Sequence, residues 1–126
     1  MRLVFLAAVL LPFPAASFVA QNGMTAVQSG PSEISVIHEV RRGDTDYWCA
    51  AGDFVQRAWG LPGNTRIWRA SPKPRRAGEG IVFTVDPAKA AEGAGLSQFG
   101  SGPRDGSIPA SMAVGSFCRV IVPFFD

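Results

Sequence analysis

Two cysteines occur in the chain, Cys49 and Cys118, 69 positions apart. A bond between them would staple two distant segments and restrict every path the intervening chain can take. Whether they join depends on the compartment, because disulfides persist in oxidising surroundings and are rare elsewhere. The first residues, MRLVFLAAVLLPFPAAS, speak to that. Arg2 precedes an apolar run over 3–11, then a proline-containing stretch leads to small residues. This is the order of a secretory signal peptide, expected over 1–17. Ala15 and Ser17 are the small residues that place the cut after Ser17, whereas a cut after Ala20 would put Phe18 where a small residue is preferred. The apolar run is far short of the roughly 20 residues that span a bilayer. Periplasmic or secreted localisation, with a Cys49–Cys118 disulfide, is the resulting expectation.

The competing reading makes Cys49 a nucleophile. It stands just inside the start of a helix, in DTDYWCAAGDF. A reactive cysteine needs a thiolate, a base and access. With the helix capped at Asp44, Cys49 lies beyond the first turn, where the dipole has faded. Asp46 and Asp53 stand three residues before it and four after, on its side of the helix, and nearby carboxylates oppose a thiolate. The one imidazole is His38, on the apolar face of the preceding segment. A cysteine hydrolase using Cys49 and His38 is therefore the alternative, and a bridge would exclude it.

The remaining pattern is that of a small α+β domain. Residues 18–31 show no period and read as a flexible lead-in to a single domain over 32–126. From Glu33 to Arg41 the residues alternate, with Ile34, Val36, His38 and Val40 on one face of a strand. A helix follows from Asp44 to about Trp59, with Gly60 at its end. Its apolar face holds Trp48, Ala51, Val55, Ala58 and Trp59. Gly52 on that face costs about 1 kcal/mol relative to alanine, so it demands a closely packed neighbour. Residues 65–70 and 81–85 form a hairpin of two strands. Asp86 and Pro87 open a short helical turn. Residues 94–113 carry no recognisable element, and a loop this long is functional or disordered. The run FCRVIVPFFD reads as a final strand, with Cys118 on its apolar side. The expected architecture is a mostly antiparallel sheet of about four strands against one main helix.

Composition excludes more than it assigns. A formal charge of +2 with acidic residues interspersed gives no case for nucleic acid. No glycine loop suited to phosphates follows a strand and no Cys/His spacing suits a metal, so no cofactor is expected. Arg66, Arg69, Lys73, Arg75 and Arg76 form the one local basic cluster, suited to an anionic cell-envelope polymer or an envelope protein, or else a solvated hairpin tip. Arg42-Gly43-Asp44 spells a known adhesion tripeptide, but a turn followed by a helix cap explains it.

The motif YWCAAGD, with the following LPG turn and a strand ending in DP, resembles small uncharacterised exported proteins of Gram-negative bacteria over residues 46–87. The resemblance implies a helix cysteine in a compact secreted domain and carries no activity. The expected function is a non-enzymatic binding or interaction module. Besides the hydrolase, a further alternative is an inhibitor or accessory protein of a secreted enzyme, acting through the 94–113 loop.

Overall fold

The computed structural model describes residues 17–72, 75–91 and 106–118. Six short strands form one antiparallel sheet: β1 (Phe18–Val19), β2 (Thr25–Gln28), β3 (Glu33–Val36), β4 (Arg66–Arg69), β5 (Ile81–Thr84) and β6 (Ile108–Pro109). Their spatial order is β1-β2-β3-β5-β4-β6. Alternation decides which side each strand buries. Ile34 and Val36 of β3, Ile67 of β4, and Ile81 and Phe83 of β5 all face the core. The central pairing sets Ile34 opposite Phe83 and Val36 opposite Ile81, so the largest apolar residues meet across β3 and β5. Just before β5, a Cβ on Gly80 would collide with the Val36 carbonyl oxygen, so only glycine lets the two backbones approach there.

Across this face lies helix α1 (Asp44–Asp53), which continues as a π-helical turn over Phe54–Ala58. Every residue from Tyr47 to Asp53 is buried. A helix buried all round needs cover on both sides. On one side Trp48 meets Phe83 edge-on, with ring centroids 4.8 Å apart. On the other lies a second helix, α2 (Ala110–Phe117). The two helices touch where their side chains are smallest. A Cβ on Gly52 would stand 2.8 Å from Ala113 Cβ and 2.9 Å from the Ala110 oxygen. This is the close neighbour that Gly52 demanded. The Cys49–Cys118 disulfide joins the helices next to this contact, with Cα atoms 5.0 Å apart.

Several expectations are corrected. Residues 18–31 hold β1 and β2; both are too short to show a period, and β1 is anchored by Phe18 packing on Phe54 at 5.4 Å. The strand from Glu33 ends at Val36, and Val40 is exposed because Arg41, at φ 65°, turns the chain toward α1. Gly43, one residue earlier than expected, caps α1, and the Asp46 carboxylate accepts the Gly43 N–H at 3.0 Å. Gly60 does end the helical segment, with φ 68°. The 94–113 segment is not a bare loop: 106–113 include β6 and the start of α2, while 92–105 lie outside the described residues. Phe117 and Cys118 finish α2 rather than begin a strand, and 119–126 lie outside the described residues. The disulfide therefore ties helix to helix, not helix to strand.

An arginine cleft at the end of the central strands

Beyond the ends of β3 and β5, the chain leaves a cleft of about 740 Å³ between residues 35–38 and the β4–β5 connection. Ile37, Val82 and Pro72 give it apolar lining. His38, Arg69, Arg75 and Arg76 give it basic groups, against one carboxylate, Glu79, among the described lining residues. The hairpin expected from the sequence creates this arrangement, because its long connection folds back beside the chain that leaves β3.

The arginines do different jobs. Arg69 lies on the same side of β4 as Ile67 and is 2 % exposed. Its Nε donates to the Ser71 carbonyl at 2.9 Å and its Nη2 to that of Pro72 at 3.3 Å, and Asp44 is 3.5 Å away. Burial pushes its pKa down, Asp44 pulls it back up, and Arg75 adds repulsion. Arg69 thus braces the turn after β4. Arg75 sits over the ring of buried Tyr47, 4.9 Å from its centroid. Its Nη1 donates to the Glu79 carbonyl at 3.1 Å and lies 3.5 Å from His38 Nδ1. Its Nε is buried with no hydrogen-bond partner among the described residues. Arg76 is exposed on the rim.

The other candidates disperse. Arg66 turns away from the cleft and holds β6, donating to Ser107 Oγ at 2.7 Å and to its carbonyl at 2.9 Å. Lys73 lies outside the described residues. Among the described residues of the basic cluster, three arginines line one cleft and one points elsewhere. Two-residue alternation in RIWR already puts Arg69 on the side of Ile67, which is the signal that it belongs to the interior. Cys49 is fully buried and bonded to Cys118, so it presents no thiol, and the hydrolase reading loses its nucleophile. In the adhesion tripeptide, Arg42 is bound to Glu39 at 2.6 Å and to the Asn22 carbonyl at 2.7 Å, so the motif is built into the turn.

A second charged group is structural. Asp53, 1 % exposed, accepts from the Gln21 N–H at 2.8 Å and from Arg57 Nε and Nη2 at 2.7 and 2.6 Å. It fixes the β1–β2 turn to α1. Among the described residues no group of three His, Cys, Asp or Glu is placed to hold a metal, and no helix is long and apolar enough to cross a membrane. No family model, curated protein or solved structure matches the chain.

Proposed function

We propose that the protein is an exported, non-enzymatic binding module whose ligand surface is the arginine cleft, and that the ligand is anionic. The observation that carries this is the convergence of Arg75, Arg76 and His38 beside apolar lining, with a single carboxylate among the described lining residues. Concave sites with an apolar lining and a few convergent polar groups are the usual form of ligand pockets, which span about 300–1,000 Å³. The leader-like first residues and the disulfide support an oxidising destination such as the periplasm. An acidic segment of an envelope protein or an anionic envelope polymer has the matching charge.

The test is a titration of the folded protein with polyglutamate, followed by amide chemical shifts. Binding at the cleft moves His38, Arg75 and Gly80, and the double change Arg75→Ala, Arg76→Ala weakens it by about tenfold or more. Shifts confined to another surface, or an unchanged affinity in the double variant, would show that the cleft is not the binding surface.

A further inference from the structure

The way the arginines use their guanidinium edges singles out one of them. Arg42, Arg57, Arg66 and Arg69 each commit both Nε and Nη2 to acceptors within the protein. Arg57 is the clearest case: its Nε and Nη2 grip the two oxygens of Asp53 as a fork. Arg75 departs from the pattern. Its hydrogen bonding runs through Nη1, to the Glu79 carbonyl and toward His38, and its buried Nε has no partner among the described residues. A buried donor without an acceptor is costly, so this pose over Tyr47 is only partly satisfied. Any acceptor that draws the guanidinium off the ring and meets Nε relieves the deficit. A planar carboxylate does so best, because its two oxygens match the Nε–Nη2 edge.

The rest of the cleft limits what carries that carboxylate. Arg69 is consumed by Ser71, Pro72 and Asp44, so among the described residues the cleft offers little free charge beyond Arg75 and Arg76. Two free cations engage one carboxylate at a time, whether it stands alone or on a longer chain. Ile37, Val82 and Pro72, which line the cleft with Arg75, suit an apolar body. Building on the anionic-ligand reading above, we infer that the cleft binds one carboxylate attached to an apolar chain, and that Arg75 leaves Tyr47 to hold it through Nε and Nη2.

Hexanoate is a suitable probe, with hexanamide and inorganic phosphate as its comparisons, and the Arg75 Nε–Hε resonance is the readout. Hexanoate is expected to move that resonance downfield and to shift Ile37 and Gly80, while hexanamide and phosphate leave all three in place. Arg75→Lys keeps the charge but lacks the fork, and should weaken hexanoate by about tenfold; Arg76→Gln should weaken it by no more than about threefold. An unmoved Nε resonance, an unchanged affinity in Arg75→Lys, or phosphate bound as well as hexanoate would overturn the inference. Polyglutamate binding at the cleft would survive any of those results, so failure of the fork is separable from failure of the anionic site. The resonance is read on the unaltered protein, so the test holds even if Arg75→Lys does not fold.

Discussion

Asp53 is a carboxylate with 1 % exposure that nonetheless keeps its charge. Burial pushes its pKa up, but the bonds from Arg57 and Gln21 outweigh this, and the result lies below the ordinary value of 3.8. Glu33 is also lowered from 4.5, first by the Ser32 hydroxyl and then, against some desolvation, by Lys89. A lowered carboxylate stabilises the fold fully above its unfolded pKa, and that contribution is lost as pH falls through the folded value. The urea midpoint should therefore hold from neutral pH down to the ordinary carboxylate range and drop below it. Asp53→Asn should cost about 2 kcal/mol at neutral pH, because the amide cannot accept both donors of Arg57, and it should flatten part of the acid drop. At this scale the sequence was partly legible. Capping by Asp86 and termination at Gly60 followed from residue type. The partnership of Asp53 with Gln21 joins residues 32 positions apart, and no local pattern announces it.

At the scale of elements, legibility tracked length and residue size. IVFT and RIWR declare their strands through branched and aromatic residues, whereas TAVQ and FV are too short to carry a period. ASMAVGSF gives little helix signal because of its small residues and Gly115, yet smallness is what lets α2 approach α1. The two helices meet where a Cβ on Gly52 would stand 2.8 Å from Ala113 Cβ, so Gly52→Ala should be overpacked. The clash, about 1–3 kcal/mol, exceeds the gain in helix propensity of about 1 kcal/mol. Thermal unfolding should therefore show a lower Tm for Gly52→Ala, and Gly52→Ala combined with Ala113→Gly should recover part of it. An unchanged Tm in the single variant would mean that α2 does not press on α1 as described. Residue type in the apolar run from Phe117 predicts a strand, whereas Cys118 stands at a helix end.

For the whole molecule, the disulfide was the most legible feature, because the sequence holds two cysteines and each has the other to pair with. What it joins was not legible, since that depended on α2. Replacing both cysteines by serine should remove about 4 kcal/mol of loop-closure stabilisation, read as a lower urea midpoint. Both sulfurs are in buried residues, so labelling by an alkylating reagent after mild reduction should track opening of the α1–α2 contact. The sheet order carries a kinetic consequence. β2 and β3 can meet early as a local hairpin, as can β4 and β5, but β3 pairs with β5 across positions such as Ile34 and Phe83. Such a distant union must close a long loop before it is rewarded, and contacts of this kind slow folding. Trp48 reaches Phe83 from α1, the segment between the two hairpins, so it acts where they must be brought together. Trp48→Leu should therefore slow refolding in stopped-flow measurements more than it speeds unfolding. The helix at the centre is in this sense a mould: the two halves of the sheet find their register by closing around it.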